Sequence, residues 1–334
     1  MSKYSIVIIT SNGKKKVKRC IETLKKYKVF DSAEVIIVDA TDDEGSLGIQ
    51  QEKIKYIKVP LKEKGFSHQR NIGVVNSLTD YIIFIDDDIE ITENWFKTLT
   101  EEFEKNKDKY FGAMGAVFPK NGNSNFISFS IGVLGHPGGG FRLHNYSRGK
   151  MIELSQVATC NTIFRKDIIL DVGMFNLANK FGSEDTDICL RITKKYGKNK
   201  FVYIPDAIVW HDTHKNLFKV VKWYIRRGMA DIDLVFVSSV HFEYVIKTSF
   251  ILKLFTVFLI SLFFKPLIFI FLILWYFTQL MKHKFMWKYF HIYNFSIPYR
   301  MLTFLCFPFI KLIADVAFDL GRLVRIFLYL IYRT

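Results

Sequence analysis

Three consecutive carboxylates, Asp86-Asp87-Asp88, close the apolar run Ile82-Ile83-Phe84-Ile85 and are followed at once by Ile89-Glu90-Ile91. Adjacent carboxylates repel one another, so such a triplet calls for a counter-cation. Alternate residues of an extended chain point the same way, which lets Asp86 and Asp88 approach one hard divalent ion while Asp87 faces elsewhere. The plain alternative is a solvated acidic turn, but a turn does not need this much buried strand before it. A second acidic group lies in Gly182-Ser183-Glu184-Asp185-Thr186-Asp187. Glu184 and Asp185 fall in the first turn of an expected helix, where they either complement the helix dipole or supply a general base. Asp187 and Arg191 are four residues apart and can pair. His211 follows a strand-like segment directly, as a third metal ligand or as a structural histidine.

These residues need elements to position them. Tyr4–Thr10 reads as a first strand, Lys14–Tyr27 as a helix with Val17, Ile21 and Leu24 at helical spacing, Ala33–Val38 as a second strand ending in Asp39, and Ile54–Val59 as a third. Ser67–Leu78 reads as a helix capped by Ser67, with Arg70 and Asn71 in its first turn, and Tyr81–Ile85 leads into the triplet. Strands alternating with helices predict a parallel, doubly wound α/β sheet with ligands at the carboxyl ends of its strands. No Gly-rich dinucleotide fingerprint and no phosphate-loop lysine motif occurs, which disfavours a dehydrogenase or a nucleoside triphosphatase. Asp39 can accept hydrogen bonds from a ribose or base edge, or cap the turn Ala40-Thr41-Asp42-Asp43. Arg70 can meet a phosphate, brace the aspartates or pair with a surface acid. From Gly112 to Asp167 the regular alternation is lost, and Gly135–Phe141 reads as a mobile flap or an inert loop. Thr159–Phe164, Lys200–Ile204 and Ala207–Trp210 are strand-like.

The chain has 334 residues, half of them hydrophobic, and a net charge of +15. Apolar residues concentrate in Ser249–Phe264, Leu267–Met281 and Met301–Tyr332, bordered by Lys247, Lys253, Lys265, Lys282, Lys284 and Lys288. That placement points to a membrane surface and phosphorylated substrates rather than nucleic acid. Because bases flank both ends of Ser249–Met281, a hairpin turning near Lys265-Pro266 is expected, with both ends on the cytoplasmic side. Asp315–Arg333, interrupted by Asp319, Arg322 and Arg325, is expected to lie among the headgroups. The N-terminus runs straight into a strand, which predicts a cytosolic catalytic part. Cys20, Cys160, Cys189 and Cys306 show no paired metal spacing and read as reduced thiols.

Taken in order, the Ser5–Thr10 strand and its turn, Val38-Asp39, Arg70-Asn71, Asp86-Asp87-Asp88 and Gly182–Asp187 with Arg191 resemble the family 2 glycosyltransferases of the GT-A fold. The resemblance covers about the first 230 residues. It implies an α/β GT-A catalytic domain over residues 1–230 and a hydrophobic helical membrane-associated region over 231–334. By the same resemblance, Asp86, Asp88 and His211 hold Mg²⁺ or Mn²⁺, and Asp185 is the catalytic base with Glu184 orienting the acceptor. Thr10, Asp39, Arg70, Asn71, Asp86 and Asp87 bind the donor. Trp223-Tyr224-Ile225-Arg226-Arg227-Gly228 lacks the Gln of the processive synthases' signature, so single transfers are expected, with Arg226 or Arg227 touching a phosphate. The function implied is inverting transfer of a sugar from a nucleotide-diphosphate donor to a hydroxyl of a membrane-held, lipid-linked glycan acceptor at the cell membrane. The alternatives are a polyprenyl-phosphate glycosyltransferase, which needs no base, and a non-catalytic membrane scaffold of the same fold.

Overall fold

The structure is a computed structural model that describes residues 3–11, 14–41, 53–120, 125–238 and 240–332. Asn12-Gly13 in the turn after the first strand, Asp42-Asp43 and Arg333 lie outside the described residues. In chain order the elements are β1 (Tyr4–Thr10), α1 (Lys14–Lys26), β2 (Ala33–Asp39), β3 (Ile54–Lys58), α2 (Phe66–Asn76), β4 (Tyr81–Asp86), β5 (Ile89–Ile91) and α3 (Trp95–Glu104). Then come β6 (Gly112–Pro119), α4 (Phe126–Leu134), α5 (Gly140–Ser147), β7 (Ile152–Leu154), β8 (Asn161–Arg165), α6 (Lys166–Asp171), α7 (Glu184–Tyr196) and β9 (Phe201–His211). The remainder is helical: α8 (Leu217–Val237), α9 (Phe242–Thr248), α10 (Phe250–Ser261), α11 (Leu267–Lys282), a 3₁₀ stretch at Lys284–Tyr293, and α12 (Ile297–Tyr332).

Two compact units result. The first comprises Met1–Lys120, Gly135–Lys180 and Glu184–Asp212, and the second Asn121–Leu134, Phe181–Ser183 and Thr213–Thr334. The chain passes into the second unit after Asp212, whereas the boundary expected at residue 230 falls inside α8.

Among the described residues of the first unit, nine strands form one mixed sheet in the order β3-β2-β1-β4-β8-β6-β9-β5, with β7 beside β9. The parallel sheet expected from the sequence holds for β3, β2, β1 and β4 and again for the β6–β9 pair; β8 runs antiparallel to β4 and β6, and β5 and β7 antiparallel to β9. An apolar run buried on both faces is compatible with either direction, so the run Ile82–Ile85 could not distinguish them. The two strands expected at Lys200–Ile204 and Ala207–Trp210 are one, β9, whose pairing with β6 shifts register between Gly115 and Val117. Pro205, which has no ladder N–H, sits in that irregularity. Gly115 is needed there, since a Cβ would stand 2.2 Å from the Ala207 carbonyl oxygen. Asn161, fully buried, stitches the bulge by accepting from Trp95 Nε1 at 2.7 Å and donating to the carbonyls of Ala116 and Ala207 at 3.0 Å.

Helix α1 buries Val17, Cys20, Ile21 and Leu24 against this sheet, each such side chain contributing roughly 1.5–3 kcal/mol. The expected flap at Gly135–Phe141 is corrected. Gly140 and Phe141 begin α5, Phe141 is fully buried against Phe118, and Gly138 packs on Val117 and Cys160.

In the second unit α8 and α12 touch at backbone level through two glycines. A Cβ on Gly228 would lie 1.9 Å from the Phe318 carbonyl oxygen, and one on Gly321 2.0 Å from that of Ile225. Beside this crossing, Arg322 pairs with Asp231 at 2.8 Å and Asp319 at 3.0 Å and donates to Thr248 Oγ1 at 2.8 Å. Arg325 pairs with Asp233 at 2.6 Å. Asp319 Oδ2 also accepts from Ser249 Oγ and Ile251 N, both at 2.9 Å, where α9 and α10 meet at a bend of 58°. The expectation of headgroup-facing charges in Asp315–Arg333 is thereby overturned for Asp319, Arg322 and Arg325: all three are buried and paired inside the unit. Helix α12 is long and apolar enough to cross a membrane: an 18-residue window within Ile297–Ile331 has a mean hydropathy of 1.9. Exposed large apolar side chains crowd α10, α11 and α12, among them Phe255, Phe258, Phe269, Leu274, Phe309 and Phe327.

Candidate active site

The carboxyl ends of β1 and β4 lie side by side, with Ile9 opposite Asp86. Beyond Asp86 the chain turns through Asp87 and Asp88 into β5, whose first residue, Ile89, pairs with His211 at the end of β9. The hydrogen bond from Asp212 N to the Asp88 carbonyl, 3.2 Å, closes that corner. This antiparallel return brings together residues 125 apart in sequence: His211 Nε2 lies 3.2 Å from Asp86 Oδ2 and 3.2 Å from Asp88 Oδ1. One ligand atom from each of Asp86, Asp88 and His211 falls within 4.8 Å of the other two.

The electrostatics follow from crowding acids in a half-buried corner. Burial disfavours the His211 cation, but the carboxylates of Asp88 and Asp86 outweigh it and push its pKa up to about 9. Burial also disfavours ionised Asp86, yet the His211 contact and the Arg70 guanidinium hold it below the usual carboxylate range. Asp87 turns away from the cluster and accepts from Thr10 Oγ1 at 2.7 Å; burial and its neighbours Asp88 and Asp86 push it up to about 6.

Arg70 links this cluster to the second acidic group. It is 5% exposed, lies 3.6 Å from Asp86 Oδ1 and donates through Nη1 to Glu184 Oε1. Burial raises the Glu184 pKa against the opposing pull of Arg70. Asp185, half-buried beside it at the start of α7, accepts from Thr186 N at 2.7 Å. Asp187 takes no part in this corner, since it pairs with Arg191 at 2.7 Å, which in turn donates to the carbonyls of Val172 and Met174.

Two residues expected at the donor are held by the protein. Asp39 is fully buried and accepts from Thr41 N at 2.8 Å, Thr41 Oγ1 and Tyr56 Oη at 2.6 Å, the bonding of a turn cap. The Asn71 carboxamide closes a two-bond ring with the Phe175 backbone at 2.8 and 2.9 Å. Arg226 and Arg227 lie on α8 in the second unit, Arg227 over the Trp223 ring at 4.9 Å. Sequence reasoning passed over Gln69, which ties the ends of β1 and β2 through the carbonyls of Thr10 and Val38 at 2.7 and 3.0 Å. It also passed over Lys16 and Arg19, which reach Asp88 at 2.7 Å and Asp212 at 2.5 Å; the only local signal was a basic first turn in α1.

The family model described as Glycosyl transferase family 2 matches residues 5–173, just over half of the chain and the stretch that carries β1, the aspartate triplet and Arg70. The chain belongs to glycosyl transferase family 2. Solved structures similar to this family 2 chain include S. aureus TarS 1-349, at 15% identity and a TM-score of 0.49 over 70% of this chain and 65% of that one. GalNAc-T7 with UDP, GalNAc and Mn²⁺ matches at 15% identity and a TM-score of 0.48, over 64% of this chain and 43% of that one. A longer S. aureus TarS matches at 14% and 0.46, over 70% and 40%. The chain therefore spans less than two thirds of each of these proteins. No curated protein matches the sequence. A divalent ion, which the family resemblance implies, fits the donors present: two carboxylates and one imidazole converge here, a set that suits Mg²⁺ or Mn²⁺.

Proposed function

We propose that this family 2 chain is an inverting, metal-dependent glycosyltransferase that moves a sugar from a nucleotide-diphosphate donor to a hydroxyl of a membrane-held, lipid-linked glycan. The observation that carries this reading is the convergence of Asp86, Asp88 and His211 at the sheet's carboxyl edge, joined through Arg70 to Glu184 and its neighbour Asp185. Asp86, Asp88 and His211 would hold the ion, Mg²⁺ or Mn²⁺. When bound, the ion would offset the negative charge that develops on a departing nucleoside diphosphate.

The chain's own residues supply the rest. Asp185 takes the proton of the acceptor hydroxyl, so that attack from its side inverts the anomeric carbon. Glu184, fixed by Arg70, orients the acceptor. Thr10 holds Asp87 clear of the ligand atoms. Asp39 fixes the turn at Thr41, which borders the nucleoside, and Arg226 or Arg227 meets a phosphate. The apolar surface of α10, α11 and α12 lies in the membrane as an anchor on the cytoplasmic side, with the α10–α11 hairpin turning at Lys265-Pro266. A carboxylate placed as Asp185 is favours a hydroxyl acceptor over a polyprenyl phosphate, which is already ionised.

Full-length protein in detergent, given a panel of nucleotide sugars with Mn²⁺ and membrane lipid extract, should release nucleoside diphosphate with one donor and label a lipid fraction. Labelling of polyprenyl phosphate alone, undiminished in Asp185→Asn, would assign the chain to the alternative class. Release with no donor would overturn the enzymatic reading.

A further inference from the structure

Lys16 has no part in the mechanism above. It lies in the first turn of α1, next to Val17, which is fully buried and anchors the helix. Its Nζ stands 2.7 Å from Asp88 Oδ2, while the other oxygen of that carboxylate, Oδ1, faces His211 at 3.2 Å. One carboxylate is therefore shared between the ligand cluster and an ammonium group. Asp87 and Asp212 add to the attraction.

The cations around this corner differ in their freedom. Arg70 is buried between two acids and over the rings of Phe66 and Phe175, so it stays where it is. Arg19 is paired with Asp212. The Lys16 side chain is 45% exposed on a flexible four-carbon stem and can swing away from Asp88 without uncovering any core. A divalent ion on Asp88 would sit within a few ångströms of this ammonium, and like charges at such a distance in a half-buried corner repel strongly. The anionic diphosphate of a donor removes that conflict, because it offers Lys16 another partner while it meets the ion.

Resting on the reading of Asp86, Asp88 and His211 as a metal site, we propose that Lys16 is a positioning residue that couples uptake of the ion to uptake of the diphosphate. It keeps affinity for the free ion low and transfers from Asp88 to the diphosphate once both are present. Reciprocity then requires the diphosphate to tighten ion binding by the same factor as the ion tightens diphosphate binding.

The test uses full-length wild type, Lys16→Met, Lys16→Arg and Asp88→Ala. Bound Mn²⁺ is followed by electron paramagnetic resonance without any phosphate, and binding of the Mn²⁺–pyrophosphate complex by calorimetry. Lys16→Met should bind Mn²⁺ alone about tenfold more tightly than wild type and Mn²⁺–pyrophosphate about tenfold more weakly, as expected for removal of one nearby charge. Lys16→Arg should stay close to wild type in both. If Lys16→Met binds Mn²⁺ alone no better than wild type, Lys16 merely orients Asp88 and the coupling is refuted. If Asp88→Ala binds Mn²⁺ as wild type does, or none of the four proteins binds it, the metal reading itself fails, and that outcome is separate from the behaviour of Lys16.

Discussion

Two groups of aspartates among the described residues keep different company. At the sheet edge, Asp86, Asp87 and Asp88 stand together with His211, Arg70 and Lys16, partly open to solvent and crowded enough to push Asp87 up to about 6. Between α8 and α12, Asp231, Asp233 and Asp319 each face an arginine, and Arg322 and Arg325 are buried with them. The first group is partly open to solvent with its acids crowded side by side, whereas in the second three carboxylates are held on two buried guanidinium groups. The same residue types thus serve chemistry where they stay open to solvent and architecture where they are buried against a fixed partner.

Experiments can break that contrast. The largest effect should come from the sheet edge: excess EDTA should abolish transfer, and Asp88→Ala should lower kcat/KM at least about a hundredfold with little change in melting temperature. Activity that persists in EDTA would remove the ion from the comparison. Next, Asp185→Asn keeps the shape but cannot accept a proton, so kcat should drop roughly 10²–10⁴-fold with donor affinity held, measured by single-turnover kinetics and calorimetry. Collapse of donor binding instead would place Asp185 in the nucleotide site.

In the paired group the readout shifts from activity to stability. Arg322→Met leaves Asp231 and Asp319 buried without their partner, which should cost about 3–5 kcal/mol of stability, seen as a lower melting temperature in detergent. An unchanged melting temperature would mean that this lattice is no more than decoration.

The smallest effect carries the opposite sign. The folded-state pKa of Asp87 is raised by burial and by Asp88 and Asp86, so the folded protein binds this proton more tightly than the unfolded chain. Metal-free protein should therefore lose stability as pH rises from about 4 through about 6, by up to roughly 3 kcal/mol. Asp87→Asn should flatten that slope and raise the melting temperature at pH 7. A lower melting temperature for this variant would show that the acids at the sheet edge are as well matched as those between the helices.

Much of the first group was legible in the sequence because local pattern and chemistry coincide there. A buried strand ending in acids, a helix opening with Glu184 and Asp185, and an i,i+4 pair at Asp187 and Arg191 need no tertiary knowledge. The β1 bounds were readable for the same reason. What decides the rest is non-local: the direction of β8 and β5, the meeting of His211 with Asp88 through an antiparallel return, and the reach of Lys16 from α1. Asn161 was unreadable because its role exists only where β6, β9 and α3 converge. The charges in α12 were misread for an instructive reason. A charged residue on an apolar helix looks outward until its partner is known, and the partners Asp231 and Asp233 lie 91 and 92 residues earlier.

That separation has a consequence for how the protein is made. At synthesis rates of about 5–20 residues per second, Asp231 emerges roughly 5–18 seconds before Arg322, given the 91 residues between them. During that interval α8 carries carboxylates that cannot be buried and a glycine, Gly228, whose close neighbour has not been made. The first unit, whose strands are complete by His211, can fold meanwhile. Whatever shields the nascent chain must therefore cover α8 through that wait.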